Sequence, residues 1–242
     1  MKSNSQFKNE ALAALRGNWT KAVLVTLVYF LLAAVVAGPM SYQSAKLQAY
    51  TQENATTVAK AASLIQDPAY QLIQRRVTGA TGMTLLVEIL ILMPFAVGYA
   101  NAMRRLLFSG ENELLANTFY IAFENYWHKV WGMLWMQILI FLWSLLLVIP
   151  GIIKSFSYAM TPFILDEFPE LSASEAIHRS RLMMRGHKFD LFWLWLSFIG
   201  WGILCMFTFG IGLLWLIPYM ETSMAAFYRE VKADYELNGG LD

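Results

Sequence analysis

Apolar and polar positions fall along this chain in long blocks, and the apolar blocks have the length of membrane spans. Ala22–Met40 is uncharged over about 19 residues, enough to cross a hydrocarbon core of about 30 Å at about 1.5 Å per residue, and Pro39 closes it. Met83–Met103 follows, interrupted by Glu88 and Pro94 and stopped by Arg104-Arg105. Then come Trp131–Ile149, the shorter Ile152–Leu165, Phe189–Thr208 and Leu213–Tyr228. The pattern predicts an all-α fold, a polytopic transmembrane helical bundle of about six spans. Three hairpins result, turning at the polar interval Ser41–Gly82, at Pro150-Gly151 and at Gly210–Gly212.

The stretches between the runs are amphipathic. Phe7, Ala11 and Leu15 share one helical face while Lys2, Lys8 and Glu10 keep off it, so the lead-in reads as a helix before an uncleaved first span rather than as a signal peptide. Asp67-Pro68 reads as N-cap and N1 of a short helix ending near Gly79, which makes 41–82 an external helical loop. Leu114, Leu115, Thr118, Phe119 and Ala122 mark another amphipathic stretch. Ser172-Ala173-Ser174-Glu175 is a capping box, and Gly186 suits the position just past the helix it opens. In that helix Ala173, Ala176, Ile177, Ser180 and Met184 fall on one face and His178, Arg181 and Arg185 on the other. R-G-N-W-T-K (16–21), N-Y-W-H-K (125–129) and R-G-H-K (185–188) each end such a stretch and begin a hairpin. This is a loose internal repeat, which duplication or recurrent interface chemistry would equally produce.

Charge orients the spans. With both termini cytoplasmic, Lys2, Lys8, Arg16, Lys21, Arg104, Arg105, Lys129, Arg179, Arg181, Arg185, Lys188, Arg229 and Lys232 lie inside. Only Lys46, Lys60, Arg75 and Arg76 lie outside, and Lys154 falls within a span. Were Ile152–Leu165 not to cross, the Arg179–Lys188 cluster would be external, so the positive-inside rule favours six crossings. The expected organisation is a single membrane domain over 1–232 and a cytoplasmic tail over 233–242. Composition agrees: 57% of residues are hydrophobic and 14% charged, against about 25% charged in soluble domains. The net charge of +1 offers no footing for nucleic acid, and the single Cys205 permits no disulfide or multi-cysteine metal site within the chain.

Polar groups inside apolar runs are the candidate chemistry, because an unpaired charge there costs at least about 2.5–3.5 kcal/mol. Glu88 and Lys154, each expected near the external end of its span, either pair or snorkel separately. Glu221 falls midway along the last run and should face the bundle interior, with Asn101, Tyr158 and Thr161 as candidate partners. His178, Arg179, Arg181, Arg185 and Lys188 form a candidate face for lipid headgroups. The histidines lack HExxH spacing, and no G-x-S-x-G or phosphate-binding glycine loop stands in a workable context.

W-S-L-L-L-V-I-P-G-I-I-K (143–154), S-A-S-E-A-I-H-R-S-R-L-M-M-R-G-H-K (172–188), L-S-F-I-G-W (196–201) and T-F-G-I-G-L-L-W-L-I-P-Y (208–219) together resemble an uncharacterised bacterial integral-membrane family, Domain of Unknown Function 975. R-G-N-W-T-K fits too, so the resemblance covers nearly the whole chain outside 41–82. The same motifs are more distantly similar to the membrane domain attached to some bacterial glycerophosphodiester phosphodiesterases. The resemblance implies a multi-pass protein of the bacterial cytoplasmic membrane and carries no catalytic residue or cofactor. The expected function is a non-enzymatic protein that binds membrane lipids or a membrane protein partner. The alternative is a small transporter or channel-like protein using Glu221.

Overall fold

The computed structural model describes residues 2–238, apart from the side chains of residues 58, 59 and 61. Among these residues regular structure is helical throughout. In chain order the helices are α1 (Asn4–Leu15), α2 (Trp19–Asn54), α3 (Val58–Ser63), α4 (Pro68–Val87), α5 (Met93–Ser109), α6 (Leu114–Phe123), α7 (Tyr126–Leu146), α8 (Val148–Tyr158), α9 (Thr161–Glu167), α10 (Ala173–Met183), α11 (Lys188–Phe207) and α12 (Leu213–Leu237). Five helical stretches are long and apolar enough to cross a membrane: Trp19–Asn54, Pro68–Ser109, Tyr126–Leu146, Val148–Glu167 and Lys188–Phe207. The fold is an all-α transmembrane bundle. α12 carries the sixth apolar run and, at 25 residues, has the length, but it continues through Arg229, Glu230 and Lys232 into the expected tail. Residues 239–242 of that tail lie outside the described residues.

Tyr29–Leu92 forms one compact unit and the described residues on either side of it form another. In the first, the expected loop is mostly helix. α2 does not stop at Pro39 but runs on to Asn54, and α4 runs past Gly79 to Val87. Proline removes one amide donor, and neighbouring side chains take up backbone carbonyls beside it: Ser41 Oγ donates to Gly38 O at 2.8 Å and Thr84 Oγ1 to Val36 O at 3.2 Å. Asp67 is the expected N-cap, accepting from the Ala69 amide at 2.8 Å, with Pro68 at the start of the helix. Its other oxygen accepts the Tyr50 hydroxyl at 2.6 Å, tying α4 to α2 and, with the Ala69 amide, holding the Asp67 carboxyl below its ordinary value. Glu88 opens a π-helical turn, Glu88–Leu92, rather than an ordinary helical one.

The larger unit is built from a repeated motif of short amphipathic helix, left-handed residue and long apolar helix. α1 leads through Gly17 (φ 84°) into α2, α6 through Asn125 (φ 48°) into α7, and α10 through Gly186 (φ 90°) into α11. The short helices are the packed ones. Phe7, Ala11 and Leu15 of α1 are wholly buried, as are Leu114, Thr118 and Ile121 of α6, while Ala176 and Ser180 of α10 are likewise inaccessible. α6 lies against α5 because residue 98 is glycine: a Cβ there would stand 2.2 Å from Thr118 O. α8 turns back on α7 just as closely, a Cβ on Gly151 falling 2.2 Å from Ser144 Oγ. Ile152–Leu165 is not one helix, since the chain breaks between α8 and α9. Ser180 of α10 fills the break, its hydroxyl donating to Ser157 O at 3.0 Å and accepting from the Met160 amide at 3.2 Å. The end of α10 therefore lies beside the middle of this segment.

Candidate functional site

That placement decides the company Lys154 keeps. The sequence expectation set Lys154 near the external end of its span and Lys188 at the start of another, at the opposite surface. In the structure they are neighbours: the charges of Lys154, Arg181 and Arg185 all act on Lys188. Lys188 also lines a groove of about 270 Å³ with Ile152, Ile153, Phe156, Phe189 and Phe192. Lys154 Nζ lies 4.4 Å over the Trp143 ring; Glu88, the partner expected for it, belongs to the smaller unit. Arg181 meets His178 Nδ1 at 2.9 Å. None of Lys154, Arg181, Arg185 and Lys188 makes an ion pair with a carboxylate among the described residues, and the nearby Asp190 and Asp234 are taken by His187, at 3.6 and 3.1 Å.

Arg179 does not belong to this face. Its guanidinium stacks 3.8 Å over Phe168 and 5.8 Å from Tyr235, with Nε buried. The sequence reading grouped Arg179 with the other cations as a headgroup face, because spacing along α10 does not show that Tyr235 of α12 lies beside it.

Glu221 lines a second, larger cavity of about 560 Å³ among α5, α7, α8, α9, α11 and α12. Glu221 is half-buried at the wall of this cavity, yet none of the three expected partners reaches it. Asn101 Nδ2 donates to Pro162 O at 2.9 Å and Val97 O at 3.0 Å, and its Oδ1 accepts from Arg104 Nε at 2.8 Å. Thr161 is wholly buried with no partner for its hydroxyl, and Tyr158 is buried without a bond to Glu221. Glu221 makes no hydrogen bond or ion pair among the described residues. Its charge is felt at Tyr99, whose hydroxyl shares a hydrogen bond with Thr26 at 2.8 Å.

Asn101 is absent from that role because it serves a charged cluster that the reading of the sequence missed. Asp166, at the end of α9, accepts from Lys129 Nζ at 2.9 Å and Arg104 at 3.0 Å, with Arg105 at 3.9 Å. Lys129 is 1% exposed and Asp166 2%, and Lys129 also donates to Ile121 O at 2.5 Å. Glu167 accepts the Tyr228 hydroxyl at 2.6 Å, pairs with Lys232 and lies 3.7 Å from Arg104. α5, α7, α9 and α12 are thereby joined through charge. The cluster meets the cavity at Pro162 and Phe163, which line it. The Pro162 carbonyl accepts from Asn101, and the Phe163 ring stacks on Tyr228 at 4.8 Å. Asp166-Glu167 directly after an apolar run was the available signal, since two acids at a span end need cations close by.

A family model matches residues 1–235, from before α1 to within two residues of the end of α12. The chain belongs to the family described as Protein of unknown function (DUF975). No curated protein and no solved structure matches it. The match spans both the basic groove and the Glu221 cavity, so DUF975 membership covers both sites while assigning neither an activity.

Proposed function

We propose that the protein is a non-enzymatic, multi-pass protein of the bacterial cytoplasmic membrane that binds anionic lipid at the groove beside Lys188, with both termini cytoplasmic. One observation carries the reading. Lysine closes each repeated motif, as Lys21, Lys129 and Lys188. Lys21 pairs with Glu113 at 3.1 Å and Lys129 with Asp166 at 2.9 Å. Lys188 instead has three cations around it and an apolar groove at its foot. Like charges that no protein carboxylate offsets favour an anion between them, each basic residue near a membrane surface contributing about 1 kcal/mol toward anionic lipid. The groove suits the chain attached to such a headgroup. A second reading, a small transporter or channel-like protein, is supported by the cavity at Glu221, while the apolar lining of that cavity argues against an aqueous path.

The test is lipid co-purification and binding in bilayer discs of anionic against zwitterionic phospholipid at low ionic strength, where such attraction is largest. Replacing Arg181, Arg185 and Lys188 together by Gln should abolish the anionic preference while the protein stays folded. An unchanged preference would refute the assignment.

A further inference from the structure

We propose that the cavity at Glu221 is a binding site for a lipophilic monocation reached from the bilayer. Its volume, about 560 Å³, is that of sites for small organic ligands, which run about 300–1,000 Å³. Glu221 is the one ionisable side chain in its lining; the rest is apolar apart from Ser155. A carboxyl in such surroundings either takes up a proton or meets a counter-charge, and no cation among the described residues pairs with it.

Three helices carry a proline followed by an aromatic residue, and one of them carries an acid at the next turn. Pro94-Phe95 in α5, Pro162-Phe163 in α9 and Pro218-Tyr219 in α12 set the three second arms in register. Three residues after each proline stand Val97, Leu165 and Glu221. Val97 and Leu165 are wholly buried among apolar neighbours. At this spacing from the proline, two helices carry an apolar side chain and the third carries the acid.

Access and charge select the occupant. Phe192, Trp195 and Ile199 line the cavity and are also exposed on the outer surface of α11, a surface that lipid covers in a membrane. A cation entering there passes aromatic faces that attract it. A neutral chain would leave the carboxylate unpaired, and an anion would be repelled by it. Phe156 and Phe192, whose rings meet edge to face at 6.1 Å, line both this cavity and the groove beside Lys188. Two sites of opposite charge thus stand back to back, and the inference for one does not rest on the other.

The experiment is equilibrium binding of tetraphenylphosphonium to the full chain in discs of zwitterionic lipid, with triphenylphosphine oxide as the neutral comparator. The cation should bind saturably and at least tenfold more tightly than the neutral compound. Glu221→Gln should lose that tenfold for the cation and leave the comparator unchanged, and Ala96→Phe, which projects into the cavity, should weaken both. Equal affinity of the parent protein for cation and comparator would overturn the proposal without recourse to any variant. So would equal cation binding by the parent and Glu221→Gln, or full binding by Ala96→Phe.

Discussion

Replacing Asp166 by Asn removes one charge from the most enclosed ionic site among the described residues. The carboxylate holds Lys129 at 2.9 Å and Arg104 at 3.0 Å with almost no solvent contact. Asn keeps an acceptor but not the charge, leaving the Lys129 ammonium with neutral acceptors only. Removing one partner from a buried pair destabilises by about 3–5 kcal/mol, mostly because the other charge stays buried uncompensated. At about 2–4 °C per kcal/mol for a chain of this size, the midpoint of thermal unfolding should fall by about 6–20 °C. Intrinsic tryptophan fluorescence in micelles would follow it. The double variant Lys129→Met, Asp166→Asn should recover part of the loss, because both charges are gone, with a coupling of about 0.5–3 kcal/mol. A midpoint for Asp166→Asn equal to that of the parent, or strictly additive losses, would mean that water reaches the cluster and that the ion pair does not hold α9 to α7.

Arg179→Gln and Arg181→Gln should separate packing from surface charge. The first loses its stack on Phe168 and lowers stability without altering lipid preference, the second does the reverse, and identical behaviour in both assays would contradict the assignment. Gly98→Ala should destabilise by about 1–3 kcal/mol, because its Cβ would meet the Thr118 carbonyl, which is backbone and cannot swing aside. Gly200→Ala, with nothing within 4 Å, should be neutral or stabilising by up to about 1 kcal/mol in the same melting assay. A topology reporter at Pro150 should appear outside and one at Glu170 inside, following the bias of cations along the chain. Both on one side would mean that Val148–Glu167 is re-entrant.

What the chain determined by itself is whatever depends on residues a few positions apart. Apolar runs of span length, the buried stripe of Phe7, Ala11 and Leu15, the N-cap at Asp67 and the capping box of Ser172 with Glu175, which exchange bonds at 2.7 and 3.3 Å, all follow from helical spacing and local hydrogen bonding. Helix ends were less legible. Pro39 reads as a stop, yet α2 runs through it, with side-chain hydroxyls on two carbonyls just before it, one of them from a residue 48 positions away. The partners of charges were not legible at all. Asn101 and Glu221 look suited to each other by depth, but Asn101 is drawn to Arg104 and Pro162. Lys154 and Lys188, at opposite surfaces on a simple count of spans, lie close enough for the charge of one to act on the other, with Ser180 docked into the break between α8 and α9. Spacing along one helix fixes which face a side chain occupies. Which charge it meets there depends on which helices are neighbours and how far each has slid along the other, and only the packed structure decides that.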